Sequence, residues 1–217
     1  MGVLVLVFVV VPAAFVLEEA VRTLGTLDKV ERERDTWQRS DEIIRQLDLH
    51  PGMTVVDLGS GAGYFALKIA PRVAPNGRIL AVDLRRQSLA FLWIRGVLGG
   101  HRNLYVIRSQ VDNPGLPAGA VDAVLIANTY HELTRPEPNL KALYTSLRPG
   151  GRLVVVDRGP RAAGESSAAI AEHHEMPPSV AERQINQQGF QTALREDRFI
   201  DRPGDEDLWW LVVFRKR

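Results

Sequence analysis

Short apolar runs alternate along the chain with longer stretches in which apolar and polar residues are mixed. The apolar runs have the length of buried strands and lie at 53–58, 79–83, 104–108, 121–127 and 152–157. Between and after them, apolar residues at helical spacing predict helices near 63–73, 86–98, 137–147 and 179–188. Because strand–helix–strand repetition requires parallel strands with helices on both faces, we predict an α/β fold with a doubly wound sheet.

The end of the chain departs from this alternation. Two apolar segments, 195–201 and 207–215, are separated only by a short stretch that contains Pro203 and Gly204. A connection of this length joins antiparallel strands. The sheet is therefore expected to have seven strands, most of them parallel, and to finish with a C-terminal antiparallel hairpin.

The beginning of the chain is strongly apolar. Residues 2–17 carry no charge and form a run of 16 residues, just under the roughly 17–25 that cross a bilayer as a helix. We expect an N-terminal hydrophobic helix that anchors the protein in a membrane, while a cleaved signal sequence and a buried element remain open. Basic residues such as Arg22 and Lys29 follow the run and none precedes it, so the positive-inside rule predicts a cytoplasmic domain. Signal cleavage would instead export the domain.

Composition narrows the function classes. The chain has 217 residues, of which 45% are hydrophobic and 24% charged, which is ordinary for a globular protein. It contains no cysteine, which excludes a disulfide framework, a thiolate zinc site and a cysteine nucleophile. The net charge of +1 gives no electrostatic reason to expect nucleic acid as a partner.

The most informative stretch is a glycine-rich turn that follows the first predicted strand. Asp57 is followed by Gly59, Gly61 and Gly63, whereas a dinucleotide-binding turn has its third glycine one position later. An acid two positions before the first glycine would repel a pyrophosphate but suits a ligand that carries an amino group. Asp83 ends the next predicted strand, where a carboxylate is placed to accept the hydroxyl groups of a ribose.

These features, with two later motifs, resemble the class I S-adenosylmethionine-dependent methyltransferases. The resemblance covers roughly residues 37–217, and residues 18–36 form a charged linker or exposed helix before it. It rests on the stretches 57–63, 82–84, 116–127 and 147–154 and on the terminal hairpin. The resemblance implies that S-adenosylmethionine is the cofactor and that this domain is a methyltransferase.

Carried over residue by residue, the resemblance implies a set of cofactor-binding positions. The glycine loop would lie against the cofactor, Asp57 near its amino-acid end, Asp83 on the ribose and Asn128 near the methionine part. An acid often faces the adenine where this chain has Gln110, and Asp112 is the alternative. The full set is Asp57, Gly59, Ser60, Gly61, Gly63, Asp83, Leu84, Gln110, Val111, Asp112 and Asn128.

Candidate catalytic residues follow the fourth and fifth predicted strands. They are Tyr130, His131, His173 and His174, and in an open α/β sheet ligands bind outside the carboxyl ends of the strands. A general base is needed only if the acceptor must lose a proton. Roles in helix capping, core packing or a solvated turn remain open for all four. No metal site is expected, although His131, His173, His174 and Glu175 are a conceivable ligand set.

The sequence thus predicts methyl transfer to a small-molecule or lipid-like acceptor by in-line displacement. A nicotinamide-dependent oxidoreductase is the first alternative, and Tyr64 in place of the third dinucleotide-site glycine argues against it. A non-catalytic module that binds S-adenosylmethionine or serves as a scaffold is the second. Cofactor binding without turnover would favour that module.

Overall fold

The computed structural model describes residues 2–160, 174–205 and 207–217, and the chain divides into two compact units, Met1–Gln38 and Arg39–Arg217. The first unit contains one helix, α1 (Gly2–Asp35), which takes in both the apolar run and the charged residues that follow. Within the described ranges, no helix combines the length and the apolarity needed to cross a membrane. The membrane anchor and the cleaved signal stay predictions.

The second unit is built on a single seven-stranded sheet covered by helices. The strands are β1 (Thr54–Leu58), β2 (Arg78–Asp83), β3 (Leu104–Arg108), β4 (Val121–Ala127), β5 (Leu147–Arg158), β6 (Phe190–Arg202) and β7 (Asp207–Lys216). The helices are α2 (Ser40–Gln46), α3 (Tyr64–Val73), α4 (Arg86–Leu98), α5 (Pro136–Ser146) and α6 (Pro178–Gln187), with short 3-10 turns at Tyr130–Glu132 and Pro203–Asp205. The α/β class predicted from the pattern is confirmed.

The order of the strands determines where a ligand can bind. They lie in the order β3-β2-β1-β4-β5-β7-β6, and β1 to β5 are parallel whereas β7 is antiparallel to both of its neighbours. Strands β1, β2 and β3 follow one another towards one edge of the sheet, whereas β4 and β5 lie on the other side of β1. The connections that follow β1 and β4 therefore leave the sheet on opposite faces, which opens a crevice at the carboxyl ends of these two strands. Central strand residues such as Val56 and Val124 are fully buried, so this crevice stands on a rigid core.

Two strand boundaries differ from the expectation. The hairpin strand β6 begins at Phe190 rather than 195, because the Phe190 ring packs edge-on against Tyr144 and Phe214, with centroids 5.0 and 6.5 Å apart. The first residues of β6 form no apolar run, because β6 is an edge strand with one exposed face. The sequence pattern therefore did not predict this start. Strand β5 begins at Leu147, which pairs with Val121 before a register irregularity, whereas the apolar run predicted this strand only from residue 152.

Candidate functional site

The glycine loop lies at the crevice and is fixed to both neighbouring strands. The backbone N–H groups of Gly59 and Ser60 donate to the Val82 carbonyl at 2.8 and 3.0 Å, which joins the loop to the end of β2. Gly59 has a φ of 77°, and a Cβ there would lie 2.2 Å from Thr129 Oγ1. Only glycine allows this contact, so β1 and β4 approach each other closely where they end.

The other two glycines of the loop differ in their surroundings. A Cβ on Gly63, at φ 103°, would lie 2.2 Å from Leu92 Cδ1 in α4, whereas a Cβ on Gly61, at φ 53°, would meet nothing within 4 Å. Arg95 Nη1 donates to the Ala62 carbonyl at 2.7 Å. The loop is thus packed against α4 on one side and open beside Gly61.

Alanine at Gly61 should affect mainly cofactor binding, whereas alanine at Gly63 should affect mainly stability. Gly61→Ala is expected to reduce the free energy of unfolding by only about 1–2 kcal/mol, the cost of a left-handed residue, but to weaken cofactor binding because the methyl group enters the open space. Gly63→Ala adds overpacking against the buried Leu92, typically another 1–3 kcal/mol. Urea denaturation and calorimetric titration measure the two effects. Equal destabilisation by both substitutions would show that the loop is not open at Gly61.

Asp83 organises the loop from the end of β2. Its carboxylate is 5% exposed, and its two oxygens accept the backbone N–H groups of Gly61 and Arg85, each at 2.8 Å. Each carboxylate oxygen has a second lone pair, so the group can still accept two ribose hydroxyls. Leu84 follows with a side chain that is 49% exposed.

Two buried polar atoms at the crevice have no hydrogen-bond partner among the described residues. They are Ser60 Oγ and Asn128 Oδ1, and Asn128 also has a positive φ of 54°, a conformation that costs energy and recurs at binding sites. Asp57 lies close by in sequence and is 2% exposed. A ligand with hydroxyl and ammonium donors would satisfy these oxygens, and S-adenosylmethionine carries both. The residues of the crevice therefore fit this cofactor.

The candidate adenine-binding residues lie after β3. Gln110 is exposed and its backbone pairs with Asn113 in a short bridge, while Val111 is 53% exposed. Asp112 binds Arg135 Nη1 at 3.0 Å. Gln110 and Asp112 both stay candidates for the adenine contact, and the ion pair with Arg135 makes Asp112 the more constrained of the two.

A buried histidine–aspartate pair lies at the ends of β4 and β5. His131 Nδ1 is 2.7 Å from Asp157 Oδ1, and the side chains are 5% and 0% exposed. The His131 backbone N–H donates to Asp157 Oδ2 at 3.1 Å, and the Arg158 N–H donates to Oδ1 at 2.8 Å. The carboxylate is thus held in place by the backbone and fixes the orientation of the imidazole ring. This pair is the strongest acid–base feature of the site.

The pair changes the protonation of the ring. Burial lowers the pKa of His131, but the hydrogen bond to Asp157 and the negative charge of that carboxylate outweigh burial, so that the pKa is raised above its ordinary value. The ring carries a proton more readily than a free histidine, and Asp157 holds one proton on Nδ1. Nε2 then remains as the atom that can take up or release a proton.

This raised pKa predicts a pH-dependent contribution to stability. The stabilisation from protonating His131 is fully present below the ordinary histidine pKa of about 6.5 and is lost as the pH rises through the raised value. The difference in free energy of unfolding between wild type and Asp157→Asn should therefore be largest between about pH 5 and 6.5 and decrease at higher pH. Urea titrations across this range measure it, and a difference that grows with pH would contradict the assignment.

The remaining candidate catalytic residues have unlike environments. Tyr130 is 1% exposed and its hydroxyl donates to Gln184 Oε1 at 2.8 Å; burial, and to a lesser degree the Asp157 charge, raises its pKa. These contacts are those of a packing residue. His174 is exposed, has a φ of 53° and lies edge-on to His131 with ring centroids 5.6 Å apart. His173 lies outside the described residues, and among those that are described no cluster of three or more potential ligands could hold a metal ion.

Three contributors to the site escaped the sequence analysis. Asp157 lies within one residue of the carboxyl end of a buried strand, as Asp57 and Asp83 do, and that shared position was the available signal. Thr129 is recognisable only through its contact with Gly59. Asn139 donates to the carbonyls of Val111 and Arg135 and so ties α5 to the loop after β3, for which the sequence offers no signal.

Comparison with known proteins agrees with this geometry. Residues 56–155 match the family model described as a methyltransferase domain. The chain is 29% identical over 125 residues to the ubiquinone/menaquinone biosynthesis C-methyltransferase UbiE of Ectopseudomonas mendocina, covering 56% of this chain and 47% of the relative. An S-adenosylmethionine-dependent methyltransferase from Aquifex aeolicus has a similar structure, with a TM-score of 0.73, 19% identity and coverage of 89% of this chain and 98% of the other. The cyclase SpnF has a TM-score of 0.72, 16% identity and coverage of 82% and 80%.

The sheet order and the crevice define a doubly wound α/β protein that binds its ligand at the strand ends. Residues 56–155, the part of the chain that matches the family model, form a methyltransferase domain, in agreement with the resemblance to the class I S-adenosylmethionine-dependent methyltransferases. The matched domain and the geometry of the crevice imply S-adenosylmethionine as the cofactor. The chain spans about half the length of the curated relatives it matches, and the structural likenesses, all at low identity, concern the fold.

Proposed function

We propose that this protein transfers a methyl group from S-adenosylmethionine to a carbon atom of a small, lipid-like aromatic acceptor. The observation that supports this most is the joining of two features at one sheet edge. The glycine loop touches Thr129 through Gly59, and Thr129 is two residues from His131, whose ring is bound by Asp157. The cofactor crevice and the buried acid–base pair are therefore adjacent.

The residues of the crevice suit the two polar ends of the cofactor. Bound S-adenosylmethionine supplies a methyl group already activated by a sulfonium. Asp83 would accept the ribose hydroxyls, while Asn128 Oδ1 and the Asp57 carboxylate would receive the amino-acid end. Because in-line transfer depends on positioning, the contribution of these residues is to hold the methyl group towards the acceptor.

His131 supplies what a carbon acceptor needs in addition. When a C–H group becomes C–CH3, the acceptor must lose one proton. Asp157 holds a proton on Nδ1 of His131, so the neutral ring has its lone pair on Nε2 and can take the proton of the acceptor there. Nε2 of His131 would receive the proton that the acceptor carbon loses as it gains the methyl group and the sulfonium becomes a neutral thioether, so the charges would balance.

The curated relatives support the choice of acceptor. UbiE is named as a C-methyltransferase of ubiquinone and menaquinone biosynthesis, and a buried base close to the cofactor loop agrees with methylation on carbon. A prenylated hydroquinone is accordingly the acceptor class of this proposal.

A cytoplasmic location at a membrane is also part of the proposal. Residues 2–17 would hold the protein there, and the basic residues that follow the run, beginning with Arg22 and Lys29, support the cytoplasmic side. Cell fractionation combined with N-terminal sequencing tests it. A mature chain beginning near Ala14 would contradict it and favour export.

Incubation with S-adenosylmethionine labelled in the methyl group tests the activity. We expect label in the organic phase with a prenylated hydroquinone and none with the same compound already methylated at every free ring carbon. If S-adenosylmethionine binds but no label reaches any acceptor, the non-catalytic module is the better account.

A further inference from the structure

Most of the large exposed apolar side chains lie in and beside α4 and β3 of the second unit. Eight large apolar side chains are exposed among the described residues, and six of them fall between Leu84 and Val111. We call the exposed side chains of α4 and β3 within this range the α4–β3 surface. Strand β3 is an edge strand of the sheet, so the surface lies at one edge of the sheet. Apolar exposure concentrated in this way marks an interaction site.

Helix α4 is apolar on more than one side but buried on one only. Eight of its thirteen residues are apolar, yet its buried positions are Leu89, Leu92 and Gly96. Trp93, Val97 and Leu98 are 56%, 60% and 75% exposed, and Trp93 and Val97 share a face because they are four residues apart. A helix that faces water on its outer side normally carries polar residues there. The outer side of α4 therefore exposes apolar side chains where a solvated helix would carry polar ones, as expected of a surface that binds a partner.

The charge of the same stretch is one-sided. Residues 84–111 contain five arginines and no acidic residue, although the whole chain has a net charge of only +1. Four of the five arginines, Arg85, Arg86, Arg102 and Arg108, are exposed. Exposed apolar side chains with arginines beside them match a binding partner that has an apolar interior and a negatively charged surface.

We infer that the α4–β3 surface docks on an anionic lipid bilayer. Tryptophan prefers the membrane interface, an interfacial helix inserts its apolar residues while basic residues meet the headgroups, and a second copy of this chain would place like charges against each other. Helix α4 begins three residues after Asp83, so docking brings the crevice next to the lipid. The inference concerns binding and does not depend on methyl transfer.

Quenching of Trp93 by brominated lipid tests this directly in the full chain. Tryptophan emission is measured with vesicles of phosphatidylcholine and phosphatidylglycerol, brominated on the acyl chains. Trp37 is only partly buried, so it is replaced by phenylalanine in both proteins that are compared. We expect quenching in Trp37→Phe that is largely lost when Trp93→Phe is added, since Trp209 and Trp210 are buried. Sedimentation with vesicles but equal quenching in these two proteins would overturn the inference, because the protein would then bind through another segment such as residues 2–17.

A charge variant with a matched control tests the headgroup contacts. Arg86→Gln combined with Arg102→Gln should weaken partitioning into anionic vesicles about 25-fold, since each arginine near such a surface contributes roughly fivefold. Lys141→Gln combined with Arg183→Gln removes the same charge from exposed positions on α5 and α6 and should change partitioning less than about twofold. Equal losses in the two variants, or binding that is independent of phosphatidylglycerol, would contradict docking through this surface.

Discussion

Replacing His131 by glutamine is expected to lower kcat by about 10²- to 10⁴-fold, the usual contribution of a general base. Glutamine is polar and similar in size to histidine, but its amide cannot take up a proton. The affinity for S-adenosylmethionine should stay near that of wild type, because His131 lies beyond Thr129 from the glycine loop. Steady-state kinetics with the labelled methyl group and calorimetry together separate the two effects.

The pH profile distinguishes a base from a residue that only supports the fold. Since the neutral ring is the active form, kcat/KM of wild type should rise with pH through a pKa above the ordinary histidine value. Asp157→Asn removes the charge that raises this pKa, so the rising limb should move to lower pH while the plateau falls. His174→Gln is a control on the neighbouring exposed ring. An unchanged profile in Asp157→Asn, or a fully active His131→Gln, would remove the pair from the mechanism.

Replacing Asp83 by alanine is expected to weaken S-adenosylmethionine binding about 10- to 150-fold. Loss of hydrogen bonds to a charged group costs about 1.5–3 kcal/mol, and the structure adds a second cause. Asp83 also holds the backbone N–H groups of Gly61 and Arg85, so the loop would lose its order in the free protein. The effect should therefore lie towards the upper end of this range.

Two controls accompany that substitution. Asp83→Asn keeps an acceptor for one N–H group and should weaken binding less than alanine. Asp48→Ala removes an exposed carboxylate that pairs with Arg152, and should leave binding unchanged. If Asp83→Ala bound the cofactor as tightly as wild type, the ribose would have to contact another residue.

Much of the fold follows from the sequence because its elements are unambiguous. Strands such as β1 and β4 are short apolar runs, buried on both faces, and their periodicity has no competing interpretation. The predicted start of β6, a strand at the edge of the sheet, was wrong. Exposed and half-buried positions alternate from Gln191 onward, and the start of β6 depends on the packing of Phe190 against residues distant in sequence.

The parts of the site that are formed by residues close in sequence could be predicted, whereas contacts between residues distant in sequence could not. The glycine loop and Asp83 follow consecutive strands, so their spacing alone indicates a nucleoside-binding crevice. The partner of His131 is 26 residues away, and only the parallel pairing of β4 with β5 brings Asp157 to it. Helical spacing predicted α4, but only the structure shows that one of its sides, with Leu89 and Leu92, is buried while Trp93 is 56% exposed.

Calorimetric titration of the full chain with S-adenosylmethionine and with NAD decides which cofactor the crevice binds. We expect saturable binding of S-adenosylmethionine and no measurable binding of NAD, because Asp57 and the spacing of Gly59, Gly61 and Gly63 disfavour a pyrophosphate. Binding of NAD without S-adenosylmethionine, or of neither, would contradict it.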